Sequence, residues 1–266
     1  MLEQLDVQPG HRVLEIGAAT GIDVALLAEL VGPTGEVVTI EIDGALAAGA
    51  RAGLAAAGYH HVEVSCADGA DGHPACAPYD RIIVTAGAWD LVSPWWQQLA
   101  VGGRMVVPLR LHGSGLTRSI AFDIQQPGRM VSSSARVCGF VAMRGAAAHT
   151  ERSLQLTDDI VLHLDAADLG DEARLGQTLT HPAHEYWTGV QIRTGEPVEH
   201  LDLWLATTTP RFARLSVGSE ARERGLVNPA LQWAGAAVYD GGDVAGQGTH
   251  GWTSVERLPA LLDRHG

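Results

Sequence analysis

Along the first half of the chain, short apolar runs alternate with helical stretches that glycine and proline punctuate. After Pro9-Gly10 the pattern predicts a strand over 12–16, a helix over 23–31 stopped by Gly32-Pro33, a strand over 36–40, and an alanine-rich helix over 45–57 ended by Gly58. Strands follow over 61–65, 81–85 and 104–109, with a short helix over 94–99 between the last two. Alternating βα units of this length build a parallel, doubly wound sheet. Past Gly115 the rhythm changes, and 116–124 and 130–143 read as an antiparallel pair joined at Gln126-Pro127-Gly128. The expected fold class is α/β, a doubly wound sheet with an antiparallel closing hairpin.

Small residues over 145–150 suggest a boundary, giving an expected domain over 1–147 and a smaller α+β domain over 151–266. In the second, strands are expected over 198–206 and 213–217, a helix over 158–168, and a tail helix over 255–263. No internal repeat or low-complexity tract interrupts the pattern.

Size and charge narrow the choice of function. At 266 residues the chain can bury one large or two modest cores. A net charge of −13 with no basic stripe argues against nucleic acid as a partner, since gripping phosphates needs clustered cations. All 18 basic residues are arginine, a signature of base composition rather than of chemistry. Cys66, Cys76 and Cys138 lack Cys-x-x-Cys spacing, so neither a disulfide framework nor a thiolate zinc site is expected, and a reducing cytoplasm fits. His181-Pro182-Ala183-His184-Glu185 does not follow the His-Glu-x-x-His order of zinc proteases, and no metal is expected. No signal segment or membrane-length apolar run is visible.

The chemistry concentrates at Glu15-Ile16-Gly17-Ala18-Ala19-Thr20-Gly21, where an apolar strand runs into a small-residue turn, and at Glu41, the acid ending the next apolar run. Glycines leave room for a ligand against the backbone, and the following helix offers amides and a positive dipole end. One β-α-β unit separates the two strand ends, which puts Glu41 where a ribose diol would lie. The dinucleotide fingerprint needs glycine at its first, third and sixth positions; here these are Gly17, Ala19 and Ile22, and the pattern fails. The turn instead resembles motif I of the class I S-adenosylmethionine (AdoMet) methyltransferases, Glu/Asp-x-Gly-x-Gly-x-Gly, with Ala19 in place of the middle glycine. Its added methyl is either accommodated by a cofactor riding slightly higher or weakens binding.

Further motifs sharpen the resemblance. Asp68-Gly69-Ala70-Asp71-Gly72, then Ala77-Pro78-Tyr79-Asp80-Arg81-Ile82, then Leu99-Ala100-Val101-Gly102-Gly103-Arg104-Met105-Val106-Val107-Pro108 are similar, in order, to those of the protein-L-isoaspartate O-methyltransferases. The likeness covers residues 1 to about 145. It implies a Rossmann-like methyltransferase domain, AdoMet as cofactor, and a peptide or protein bearing Asp or isoAsp as partner. Carried over, Gly17, Ala18, Ala19 and Gly21 would line the methionine and ribose side of AdoMet, with Glu15 and Thr20 also among the cofactor-binding residues. Glu41, followed by Ile42, would accept from the ribose hydroxyls, and Asp68 with Gly69 would face the adenine. Thr85 and Ala86, at the carboxyl end of the fourth strand, are the expected catalytic positions, with Thr85 also beside the cofactor and the backbone through Ala88 as a donor cluster. Arg110, His112 and Ser114 are further candidates at the cleft mouth. Trp89, Trp95 and Trp96 flank that face and are expected to pack a short helix rather than hold a peptide.

The second half, through Tyr186-Trp187-Thr188-Gly189-Val190, Leu203-Trp204-Leu205-Ala206 and Tyr239-Asp240-Gly241-Gly242, is similar to an extension found in a branch of that family beside bacterial peptide-modification genes. It implies a substrate-recognition role for 151–266 and methylation of a precursor peptide, whose ester can cyclise to a succinimide. The family also carries, ahead of motif I, a segment with a hydroxyl-bearing Ser that has no counterpart in this sequence. Three readings therefore stand: a carboxyl O-methyltransferase tailoring a peptide, a general isoaspartate repair methyltransferase, and a degenerate cofactor- or peptide-binding protein without efficient transfer.

Overall fold

The computed structural model describes residues 1–111, 116–126, 128–149, 152–164, 184–186, 203, 207, 212–223, 233–238, 244–248 and 251–254. The chain divides into two compact units, one made of Met1–Arg110 and Thr117–His149, the other of Leu111–Leu116 and Thr150–Gly266.

In the first unit, β1 (Arg12–Ile16), β2 (Glu36–Glu41), β3 (Glu63–Cys66), β4 (Tyr79–Val84), β5 (Leu99–Leu111), β6 (Leu116–Gln126) and β7 (Arg129–Cys138) form one sheet in the order β3-β2-β1-β4-β5-β6-β7. The pairs β1–β2, β1–β4, β2–β3 and β4–β5 are parallel, and β6–β7 is antiparallel. β1 and β2 are apolar almost throughout because both sheet faces are covered, so Val13, Leu14, Ile16, Val37, Val38 and Ile40 are all buried.

Helix α1 (Leu2–Leu5) opens the chain. α2 (Ile22–Val31) buries Val24, Leu27, Ala28 and Val31, the i, i+3, i+4, i+7 stripe of a helix facing a sheet. α3 (Gly44–Ala56) starts at Asp43, whose carboxylate accepts from the amides of Ala45 and Leu46, and it buries only Ala47, Ala50 and Leu54. Two alanines in that stripe let α3 come close to the start of α2: a Cβ on Gly21 would stand 3.5 Å from Ala50 and 3.4 Å from Leu54. α4 (Ser93–Gln97) is shorter than expected because Leu99 already belongs to β5. Its Trp95 is fully buried and donates its indole N–H to the carbonyl of Gly69 at 2.7 Å, tying α4 to the loop after β3. β7 ends at Cys138, five residues earlier than expected. The chain then leaves the hairpin and bonds back to the end of β4, Gly87 N–H to Val141 at 2.7 Å and Met143 N–H to Gly87 at 3.0 Å.

In the second unit, β8 (Arg152–Thr157), β9 (Ile160–Leu164), β10 (His184–Tyr186), β11 (Phe212–Val217), β12 (Trp233–Val238), β13 (Val244–Gly248) and β14 (Gly251–Ser254) form an antiparallel sheet in the order β10-β14-β13-β12-β11-β9-β8, with a short helix α5 (Ser219–Glu223). The helix expected over 158–168 is absent from its described part. Asp158 and Asp159 form a turn, with the Asp159 amide on the Thr157 hydroxyl at 3.3 Å, and Ile160 and Leu162 are buried on alternate positions, the period of a strand. The strand over 213–217 is present as β11; the helix over 255–263 and nearly all of 198–206 lie outside the described residues.

Truncating Trp95 to Ala should cost about 3–5 kcal/mol of stability, as for other buried aromatics. Trp95→Phe should cost about 1–3 kcal/mol, since it mainly strips Gly69 of its donor. Denaturant unfolding of the two variants checks both the sizes and their order.

Candidate functional site

In an open parallel sheet, ligands bind beyond the carboxyl ends of the strands where the strand order reverses, here between β1 and β4. The turn Gly17 to Gly21 leaves β1 at that point, and Thr85 to Ala88 leave β4 beside it.

The turn is tightly determined. Gly17 has φ +109°, and a Cβ there would come within 2.5 Å of the Thr85 hydroxyl. Gly21, at φ +83°, caps α2. Between them Ala19 takes φ +44°, a left-handed conformation that costs a residue with a Cβ about 1–2 kcal/mol. Bonds from several sides hold the turn against this strain. Gly17 and Ala18 donate their amides to Ile40 at 2.8 and 3.1 Å, and the Thr85 hydroxyl reaches the carbonyls of Gly17 at 2.6 Å and Ile16 at 3.0 Å. The Ala19 amide donates to Glu41 Oε2 at 2.9 Å. Ala19 and Thr20 remain exposed, so the strained turn presents its open face outward.

Glu41, at the end of β2, is 6% exposed, and its other oxygen accepts from the Asp43 amide at 3.0 Å. Two amides therefore fix the carboxylate while half of its roughly four lone-pair sites stay free. Arg144 Nη2 lies 3.6 Å from Glu41 Oε1 and 3.6 Å from Asp43 Oδ2. The amides of Leu46 and Ala45 hold the Asp43 carboxyl below its ordinary range, and Arg144 adds to the effect. Ile42 is partly exposed beside them.

Asp68 is gripped in the same way. Its Oδ1 accepts from Ala70 N–H at 2.9 Å and its Oδ2 from Ala146 N–H at 2.7 Å. Gly145, at φ +85°, passes so close that any side chain there would collide with the Asp68 carboxylate. Gly69 is pressed against Ile16 just as tightly.

Two expected roles need correction. Glu15 is not exposed to a ligand: it is wholly buried, with Thr39 of β2 donating to Oε2 at 2.6 Å and Oε1 without a partner among the described residues. Burial pushes its carboxyl up to about 8, with Asp23 and Glu41 adding repulsion, so at neutral pH it is mostly a neutral acid, bonded to Thr39 of β2. The Thr85 hydroxyl proton is engaged by the carbonyls of Gly17 and Ile16, which leaves it none to give a methyl acceptor. The expected donor cluster is also largely occupied. Thr85 N–H goes to Ile16, Gly87 N–H to Val141 and Ala88 N–H to Pro108, and only the Ala86 amide is without a main-chain partner among the described residues.

Of the three tryptophans, Trp95 and Trp96 belong to α4, but Trp89 does not. Its ring lies 4.2 Å from that of His149, and the Arg110 guanidinium sits 5.1 Å from its centroid. His112 and Ser114 fall outside the described residues, as does most of 181–185, of which His184 and Glu185 are in β10. Among the described residues no three His, Cys, Asp or Glu side chains gather in a way that would hold a metal, and no helix is long and apolar enough to cross a membrane.

Arg144, Gly145 and Ala146 were missed in the sequence because their partners are remote, Ala146 and Asp68 being 78 positions apart. The one available signal is an Arg-Gly pair just after the last apolar run, at the edge of the small-residue stretch over 145–150.

The strand order, the switch-point turn and the acid ending β2 define a Rossmann-like methyltransferase fold. A solved protein-L-isoaspartate O-methyltransferase superposes with a TM-score of 0.53 at 22% identity, covering 98% of this chain and 68% of that one, a likeness of fold. The family model for protein-L-isoaspartate(D-aspartate) O-methyltransferase matches residues 1–148, and the chain belongs to that family. Among curated relatives, a protein-L-isoaspartate O-methyltransferase of Methanopyrus kandleri is 50% identical over 110 residues, covering 41% of this chain and 49% of that protein. Protein-L-isoaspartate O-methyltransferase 2 of Archaeoglobus fulgidus is 41% identical over 145 residues, covering 54% and 65%. The chain thus spans from about half to just under two thirds of the length of these relatives.

The Glu15 carboxyl makes a prediction about pH. The unfolded chain releases this proton near the ordinary value of 4.5, whereas the folded chain keeps it to about 8. Stability from this group is therefore complete below 4.5 and falls as pH rises toward 8, by up to about 1.4 kcal/mol per pH unit. Glu15→Gln, neutral at every pH, should flatten that slope; thermal melts between pH 5 and 8 compare the two proteins.

Proposed function

We propose that this chain is an AdoMet-dependent O-methyltransferase that transfers a methyl group to the side-chain carboxylate of an Asp or isoAsp residue in a peptide or protein. The observation that carries the reading is Glu41: a nearly buried carboxylate, fixed by the Ala19 and Asp43 amides beside an exposed, strained small-residue turn at the switch point of the sheet. Residues 151–266 are proposed to serve substrate recognition, and the methyl ester formed can close to a succinimide when the following backbone amide nitrogen attacks its carbonyl, forming a C–N bond as methanol leaves with the amide proton.

The residues fit the cofactor. Glu41 keeps acceptor capacity for a ribose diol, and Asp68, oriented by two amides, keeps capacity for an exocyclic amine. The turn from Gly17 to Gly21, exposed at Ala19 and Thr20, is the face along which the methionine part would lie. AdoMet, when bound, supplies an electrophilic methyl group on a sulfonium.

The remaining work falls to positioning. An acceptor carboxylate is already ionised at neutral pH, since an unperturbed side-chain carboxyl titrates near 4, so no general base is needed. That accounts for a site with no catalytic dyad. The carboxyl end of β4, with Thr85 locking the turn and the Ala86 amide unengaged, is the surface against which the acceptor is aligned and stripped of water.

Glu41→Ala should weaken AdoMet binding by about 1–3 kcal/mol, the loss expected for hydrogen bonds to a charged group, and calorimetric titration measures it. Unchanged affinity would remove Glu41 from the site. Mass spectrometry of an isoaspartyl peptide and of an acidic precursor-like peptide after incubation with AdoMet should show one added methyl. A gain on the isoaspartyl peptide alone assigns general repair, a gain on the precursor alone assigns tailoring, and no gain on either contradicts the enzyme reading.

A further inference from the structure

Arg110 differs from the ion-paired arginines of the first unit. Arg12 pairs with Glu36, Arg81 with Asp6, Arg104 with Asp123, and Arg144 sits on Glu41 and Asp43. No ion pair or side-chain hydrogen bond joins Arg110 to any of the described residues, and its Nε is buried without a partner. In a chain of net charge −13, with acids in excess, a half-buried guanidinium without a carboxylate among the described residues stands out in the charge pattern.

Its surroundings are built rather than accidental. The Arg110 amide donates to Ala88 at 2.8 Å, and its Cδ lies 3.7 Å from where a Cβ on Gly87 would be, so the side chain runs along the segment leaving β4. The guanidinium is stacked 5.1 Å from the Trp89 ring centroid, a cation–π distance, and Trp89 is braced in turn by His149. The indole Nε1 of Trp89 is also buried and unpartnered. Two neighbouring N–H donors are thus withdrawn from water with no partner among the described residues, which costs free energy until something bonds them. Donors without a partner among the described residues, on Trp89 just past Thr85 and Ala86 and on Arg110 bonded to Ala88, are suited to an anion that arrives with the substrate.

We propose that Arg110, oriented by Trp89, binds a carboxylate of the peptide substrate. This rests on the methyltransferase reading for the identity of the substrate, but not for the existence of the anion site. A planar guanidinium can take a carboxylate through two parallel N–H bonds, which a lysine cannot reproduce, and stacking on the indole removes much of its freedom before the ligand binds. The carboxylate can be the methyl acceptor itself or one on a neighbouring residue, and the test separates them.

The test is calorimetric titration of the full chain, saturated with S-adenosylhomocysteine, using three end-capped peptides: one with a single isoaspartate between neutral residues, one with an aspartate added beside it, and one with every acid replaced by its amide. Arg110→Gln should lower affinity for an acidic peptide by about ten-fold or more, as for a lost hydrogen bond to a charged group, and leave the amide peptide unaffected. Arg110→Lys should recover part of the loss. Trp89→Phe, which keeps an aromatic face, should lose less than Arg110→Gln. A loss with the single-isoaspartate peptide identifies the acceptor as the bound anion; a loss only with the doubly acidic peptide identifies its neighbour. S-adenosylhomocysteine affinity and melting temperature should stay at wild-type values in Arg110→Gln or, if that variant does not fold, in Arg110→Lys. Equal affinity of wild type and variant for both acidic peptides, or no binding of either by wild type, overturns the proposal. Peptide binding that depends on Arg110 without methyl transfer would contradict the methyltransferase reading and leave this one standing.

Discussion

The hydrogen bond from the Ala19 amide to the Glu41 carboxylate is the constraint on which the site is built. It joins the turn after β1 to the end of β2, 22 positions away in sequence, and holds an alanine in a left-handed conformation that its own Cβ disfavours. Glu41 can do this because the Asp43 amide fixes its other oxygen and because the sheet brings Ile40 within reach of the Gly17 and Ala18 amides. Thr85 completes the lock from β4 through the Gly17 carbonyl, which is why a side chain at position 17 would collide with its hydroxyl. Ile40 and Glu41 of β2 and Thr85 just past β4 therefore all fix the turn that leaves β1.

A second set of contacts comes from the segment after the closing hairpin. Met143 is buried beside Gly69, Arg144 lies between Glu41 and Asp43, and Ala146 donates to Asp68. The two acids proposed to read the nucleoside are thus oriented by the same short stretch of chain. Arg144 also offsets the charge that Glu41 and Asp43 concentrate at one edge, so the proposed ribose subsite is less repulsive to a further electronegative group than its two carboxylates alone would make it.

Much of the first unit was legible because its signals are local. The apolar runs at 12–16 and 36–40, the stop at Gly32-Pro33 and the alanine-rich stretch before Gly58 each produced the expected element within a residue or two. The glycine-poor turn was legible as a cofactor-type turn, but the consequence of Ala19 was not, since its strained φ is held by a carboxylate from another strand. Glu15 shows the opposite limit: an acid in a strand reads as a ligand-facing residue, and only the packing of both sheet faces shows that it is buried. Thr85 was placed correctly in the chain, but its proton is engaged by Gly17, a contact across 68 positions. Over 158–168 the charged and apolar residues fit a helix as well as a strand, and pairing of Ile160 to Leu164 with β8 and β11 decided for the strand.

The most direct test of the account is a crystal structure of the full chain with S-adenosylhomocysteine. The account predicts the ribose hydroxyls on the Glu41 carboxylate, the adenine beside Asp68 and Gly69, and the amino-acid portion along Gly17 to Gly21, with the Ala19 amide still bonded to Glu41. A nucleoside bound elsewhere, or a Glu41 carboxylate turned away from it, would contradict it.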